Sequence, residues 1–155
     1  MNHVPLVILI ADDDEDDAQM TIDALRENRL GNDVRVTYDG EQLMDYLHRR
    51  GSYAEPGSAP LPGLILLDLN MPKKDGREAL AEIKSDAKLR KIPVIVLTTS
   101  KAEEDIFRSY DLGVNSFITK PVTFADFTGA MKVMAQYWFE LVELPSGQVG
   151  NGRVG

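Results

Sequence analysis

Four short apolar runs in this chain each end on a polar or charged tip, and that pattern constrains the fold more than any other feature. Leu64-Ile65-Leu66-Leu67 delivers Asp68 and then breaks at Leu69-Asn70-Met71-Pro72. Val7-Ile8-Leu9-Ile10 leads into Asp12 and Asp13, Val94-Ile95-Val96-Leu97 into Thr98 and Thr99, and Ser116-Phe117-Ile118-Thr119 into Lys120 and Pro121. A run that is apolar at every position is covered on both faces, as in a parallel sheet flanked by helices. All strand tips of such a sheet lie on one edge, where ligands bind. Carboxylates, a hydroxyl and a lysine then converge there, a set suited to phosphoryl transfer.

Between these runs the apolar period becomes helical. Ala18, Thr21, Ile22 and Leu25 fall at i, i+3, i+4 and i+7 and predict a helix ending at Gly31, where a left-handed cap is tolerated. Val34 and Val36 alternate as a second strand. Leu43, Met44 and Leu47 mark a second helix stopping near Gly51, and Ala79, Leu80 and Ile83 mark a third. Ser100-Lys101-Ala102-Glu103 reads as a capping box that opens a fourth helix ending near Gly113. Thr123 with Asp126 caps a long fifth. The first strand is expected at about Val4 to Ile10, the fourth at Pro93 to Leu97 and the fifth at Asn115 to Thr119. Five β–α units in this order, joined by right-handed crossovers, place helices on both faces of a parallel sheet.

A chain of 155 residues suffices for one such domain. We place it at 1–145, with a Gly-rich, polar and disordered tail at 146–155. Gly51 to Gly63, with Pro56, Pro60 and Pro62, lengthens the connection into the third strand and reads as a surface insertion. Net charge is -8, which argues against long-range attraction to nucleic acid or anionic lipid. Cysteine is absent, so thiol chemistry is excluded, and His3 and His48 are too far apart in sequence to suggest zinc. No run approaches a membrane span and no signal-peptide layout opens the chain, so a soluble cytoplasmic protein is expected.

Asp12 to Asp17 is a run of six acids. Asp14 to Asp17 favour a helix N-terminus electrostatically, whereas Asp12 and Asp13 sit on the strand end. A calcium loop does not fit. Asp17 stands where an EF-hand needs glycine, and Asp23 where it needs glutamate. Carboxylates crowded at one edge repel, and a shared divalent cation lets all of them stay ionised. Oxygen-only ligands suit Mg²⁺, which also neutralises charge on a transferring group. Lys120 neutralises a second phosphoryl oxygen and Thr98 donates a hydrogen bond to a third. Positioning and charge stabilisation are most of what phosphoryl transfer demands.

The chain resembles the receiver domain of two-component response regulators. The resemblance rests on Ile8-Leu9-Ile10-Ala11-Asp12-Asp13, Leu67-Asp68-Leu69-Asn70-Met71-Pro72 with Asp75-Gly76, Val96-Leu97-Thr98-Thr99, and Lys120-Pro121, in this order. It implies a flavodoxin-like (βα)5 doubly wound sheet of strand order 2-1-3-4-5, with an extended C-terminal helix. It implies a phosphoacceptor at Asp68, and Mg²⁺ held by Asp13, Asp68 and the backbone carbonyl of Asn70, with Asp12 acting through water. Lys120 is then the phosphate-binding lysine, with a cis bond to Pro121. Thr98 becomes the switch hydroxyl and Phe117 the switch aromatic. Ser100 is expected to cap the fourth helix. The insertion, Leu97-Thr98-Thr99-Ser100 and the extended last helix, ending Tyr137-Trp138-Phe139-Glu140-Leu141-Val142-Glu143-Leu144-Pro145, fit best the single-domain regulators that accompany phytochrome-type histidine kinases.

Such a protein is no enzyme beyond self-catalysed phosphorylation and dephosphorylation of its own aspartate. Its partner is a sensor histidine kinase, and its output runs through contacts with another molecule. Phe124, Phe127, Met131, Met134, Trp138 and Leu141 form one seam along the last helix, whose first half is expected to cover the sheet. Tyr137, Trp138 and Phe139 are consecutive, however, and neighbours on a helix lie about 100° apart, so one face cannot bury all three. A homodimer through this helix is therefore expected. The rival class is a phosphatase of the haloacid-dehalogenase type, which shares the aspartyl nucleophile, Mg²⁺, a hydroxyl and a lysine. Acid stands where its first motif needs Thr or Val, and the late acidic pair it requires is missing.

Overall fold

The computed structural model describes residues 7–27, 33–74, 76–98, 116–119, 123–129 and 132. The elements in chain order are β1 (Val7–Ala11), α1 (Glu15–Glu27), β2 (Asp33–Thr37), α2 (Gly40–His48), β3 (Leu64–Asp68), α3 (Gly76–Ser85), β4 (Val94–Thr98) and β5 (Ser116–Thr119). Residues 124–129 are again helical. The five strands form one sheet in the order β2-β1-β3-β4-β5, and every pairing is parallel. This is the doubly wound architecture and strand order expected from the sequence. The expected fourth helix, the Gly31 cap, the cis bond at Pro121 and the tail 146–155 lie outside the described residues.

Strand periodicity sorts the core into two layers. Leu9, Ile65, Leu67, Val94 and Val96 face one side, where they pack with Leu43, Met44 and Leu47 of α2 and Ala79, Leu80 and Ile83 of α3. Ile8, Ile10, Leu64, Leu66, Ile95 and Leu97 face the other, against Ala18, Ala24 and Leu25 of α1 and Phe127. Each of these side chains is buried, and each buried large apolar side chain contributes about 1.5–3 kcal/mol. Phe127 is 2% exposed and packs on the sheet, but Phe124, the first member of the C-terminal seam, is 43% exposed and does not. Thr123 caps this segment as expected, its Oγ1 accepting the Asp126 N–H at 3.1 Å. Among the described residues no helix is long and apolar enough to cross a membrane.

Helix α2 ends before the expected stop near Gly51. Asp39 caps its start, Oδ1 accepting the Gln42 N–H at 2.7 Å. At its end Arg49, not glycine, takes the left-handed conformation, with φ 54°. The Arg50 N–H then reaches Asp45 O at 3.0 Å and the Arg49 N–H reaches Tyr46 O at 3.2 Å, the two bonds of a Schellman closure. Early closure leaves Arg49 free to turn toward the insertion, where its Nε donates to Ala59 O at 3.0 Å. Tyr46 Oη donates to Pro60 O at 2.7 Å and Arg35 to Ser58 O at 3.3 Å. Three consecutive carbonyls of the insertion are thus held by side chains of β2, α2 and its cap.

Candidate functional site

Parallel register brings the acids together. Ala11 pairs with Leu67 and Asp68 with Leu97, so the tips of β1, β3 and β4 end level on one edge. The Asp12 N–H donates to Thr37 O and the Leu69 N–H to Leu97 O, both at 3.0 Å, which fixes the backbone at each tip. Asp12 is fully buried and Asp68 is 3% exposed, while Asp13 is exposed. Carboxylate oxygens of Asp12, Asp13 and Asp68 all lie within 4.8 Å of one another.

Short-range hydrogen bonds orient two of the three. Asp12 Oδ1 accepts the Asp14 N–H at 3.0 Å, and Asp68 Oδ1 accepts the Asn70 N–H at 2.9 Å. Asp14 in turn caps α1, its Oδ1 accepting N–H groups of Asp16 at 2.9 Å and Asp17 at 3.0 Å. The acidic run is therefore divided as its position on a strand end suggested. Its first two members join the site and the rest serve the helix terminus.

The cluster suits a divalent cation. Mg²⁺ holds oxygen ligands at about 2.1 Å, and one oxygen from each of the three carboxylates lies within 4.8 Å of the others, a spacing that one ion can span directly or through a bound water. The donors are oxygen only, which excludes a soft metal. Exposed Asp13 leaves the cluster open toward solvent.

Thr98 is the last residue of β4, one beyond the partner of Asp68, and it pairs with Thr119 of β5. Phe117 lies in β5 opposite Val96. Asn70 is exposed in the loop after β3. Lys120, Ser100, Tyr137, Trp138 and Phe139 fall outside the described residues. Three features of the site went unread in the sequence. Gly76 opens α3 so close to β3 that a Cβ there would stand 2.4 Å from Asp68 O. At the start of α2, a Cβ on Gly40 would stand 1.7 Å from Lys74 O. Lys73 holds φ 66°, and its Nζ lies 3.7 Å from Asp39 Oδ2. A glycine opening each helix was the available signal for the first two, and nothing in the sequence marks the third.

Known proteins resemble this chain in sequence and fold. The Response regulator receiver domain family matches residues 8–132. The response regulator Rcp1 of Synechocystis sp. is 41% identical over 142 residues, covering 92% of this chain and 95% of that protein. Among solved structures, the phosphorylated cyanobacterial phytochrome response regulator RcpA has a TM-score of 0.79 at 44% identity, covering 92% of this chain and all of that one. The Mn²⁺-bound form of response regulator Rcp1 has a TM-score of 0.77 at 41% identity, covering 91% of this chain and 99% of that one.

Proposed function

The chain belongs to the response regulator receiver domain family, and from that premise we propose that Asp68 is its phosphoacceptor, charged by a sensor histidine kinase of the phytochrome type. A receiver of this family carries out phosphotransfer onto itself rather than turnover of an external substrate, so the phosphatase alternative falls away. The observation that carries the assignment of Asp68 is its place on the tip of β3, within 4.8 Å of two further carboxylates. An Asp68 oxygen attacks the phosphorus of the kinase phosphohistidine in line. The P–N bond breaks, imidazole leaves with the electron pair and takes a proton, and an acyl phosphate forms.

The ligands we propose are Asp13, Asp68 and the Asn70 carbonyl, with Asp12 acting through water. Mg²⁺ is the metal we propose, and when bound it neutralises charge on the transferring group. Lys120 and Thr98 meet the remaining phosphoryl oxygens. Reorientation of Thr98 toward the new group, followed by Phe117, changes the surface that the partner reads. The phytochrome link draws on the description of RcpA as a phytochrome response regulator. Output through a homodimer of the last helix, with Tyr137, Trp138 and Phe139 in the interface, completes the reading for a cytoplasmic regulator.

Phosphotransfer from purified phytochrome-type and other histidine kinases tests the assignment. The wild type takes up label with Mg²⁺ and takes up none when EDTA is present from the start, and D68N takes up none with Mg²⁺. Stable labelling of D68N at wild-type yield overturns the phosphoacceptor, and preference for a kinase of another class overturns the phytochrome link. Gel filtration with and without beryllofluoride tests the dimer, which a monomer under both conditions rules out.

A further inference from the structure

We propose that the N-terminus of α2 is a fixed stop that positions the acceptor loop, residues 69–74, and through it the Asn70 carbonyl. Asp39, Gly40 and Lys73 are then positioning residues for metal binding. The inference rests on the assignment of Asn70 as a ligand made above.

The loop is tied at each end to the strand that carries Asp68. At its start the Asn70 N–H donates to Asp68 Oδ1 at 2.9 Å. At its close the Gly76 N–H donates to Leu69 O at 3.0 Å, and the missing side chain of Gly76 lets α3 begin against the backbone of Asp68 and Leu69. Between these ties the Lys74 side chain donates to Glu82 of α3, while the backbone could still bow outward. It is stopped there by α2. Lys74 O lies so near Gly40 that any side chain would collide with backbone, and backbone cannot swing aside as a flexible side chain can. The neighbouring residue adds a charge tie from Lys73 Nζ to Asp39 Oδ2 at 3.7 Å. Asp39 is also the cap of α2, so one carboxylate serves both the helix terminus and the loop.

Little in the loop can absorb a push at this stop. Met71 is buried in the core beneath α2 and α3. Pro72 has its φ fixed by its ring. Lys73 already holds a left-handed conformation that costs a residue with a Cβ about 1–2 kcal/mol. Strain of this kind persists only where the surroundings enforce it, and α2 is what borders the residue here. A displacement at Lys74 is therefore passed back along a stiff segment toward Asn70 rather than dissipated.

Two variants test the device. G40A forces Lys74 outward and is expected to weaken Mg²⁺ binding by about tenfold or more, the loss usual when support of a ligand is removed. Its phosphorylation by acetyl phosphate slows at low Mg²⁺ and recovers at saturating Mg²⁺, because the acceptor itself is unmoved. K73G guards against a G40A protein that does not fold. It relieves the left-handed strain and removes the tie to Asp39, so its metal-free melting temperature is no lower than wild type while Mg²⁺ binding weakens at least about threefold. Affinities within twofold of wild type in folded G40A and in K73G overturn the proposal. D13N separates this failure from failure of the site itself. If D13N binds Mg²⁺ as the wild type does, the carboxylate cluster is not the metal site and the premise fails.

Discussion

At the scale of single residues, the site is built from groups that repel one another. Asp12, Asp13 and Asp68 bring three carboxylates within 4.8 Å, two of them in buried side chains. Like charges at about 4 Å cost up to about 4 kcal/mol per pair near a surface, less where solvent reaches them. Replacing Asp13 with Asn removes one charge at almost constant volume. Metal-free D13N is expected to be more stable than the wild type by about 1 kcal/mol, a rise in melting temperature of about 2–4 °C at this chain length. Melts in EDTA check this, and a fall in melting temperature means that Asp13 is stabilised by local hydrogen bonds rather than destabilised by its neighbours. These three acids were legible in the sequence because each closes an apolar run, and a strand tip announces where its side chain goes. Gly40 and Gly76 were not legible as site residues, because the backbones they admit come from elsewhere in the chain. Lys73 gave no signal either, since lysine has no preference for a left-handed position and takes it only under outside constraint.

At the scale of elements, α2 and α3 are joined beside the loop by one carboxylate. Glu82 of α3 accepts a hydrogen bond from Lys74 and lies 3.6 Å from His48 Nε2, the last residue of α2. The hydrogen bond from Lys74, aided by the charges of Lys74 and His48, lowers the Glu82 pKa below its ordinary value of 4.5. A carboxyl whose folded pKa is depressed binds fewer protons folded than unfolded near that value. Its contribution is thus complete above about pH 5 and is lost as pH falls through the folded pKa. The side chain is a third exposed, so solvent screening keeps the contribution small. E82Q is expected to lose roughly 0.5 kcal/mol at pH 7 and to lose less at pH 3. Urea unfolding at the two pH values checks this, and an equal deficit at both means that Glu82 acts through packing. Helices and strands were placed by periodicity, while their ends were less secure. The stop of α2 was placed only near Gly51, whereas Arg49 takes the left-handed position that closes the helix and its guanidinium donates to Ala59 O. The insertion was read as a tolerated loop, because the pairing of its carbonyls with Arg35, Arg49 and Tyr46 follows only from tertiary placement.

At the scale of the whole molecule, the parallel sheet brings the tips of β1, β3 and β4, and with them three carboxylates, to one edge. Much of this was legible. Strands β1 and β3 read as apolar runs and are buried almost throughout, whereas Asp33-Val34-Arg35-Val36-Thr37 alternates and lies at the sheet margin. The full strand order came only with the family resemblance, because right-handed crossovers are satisfied by several orders. The edge carries its acids within a chain whose net charge is already -8, so metal binding relieves both local and global repulsion. A cation that binds only the folded chain stabilises it by about 2.7 kcal/mol at a hundredfold excess over its dissociation constant. That corresponds to a rise in melting temperature of roughly 5–10 °C for a chain of this size. Screening by a monovalent salt at matched ionic strength softens the repulsion without bridging the carboxylates, so NaCl is expected to give a much smaller rise than MgCl₂. Substituting Asp13 or Asp68 with Asn removes the difference between the two salts, because the shared ligands are then incomplete. If NaCl and MgCl₂ raise the melting temperature equally at matched ionic strength, the divalent ion is merely screening the acidic surface and no shared site at the strand tips exists.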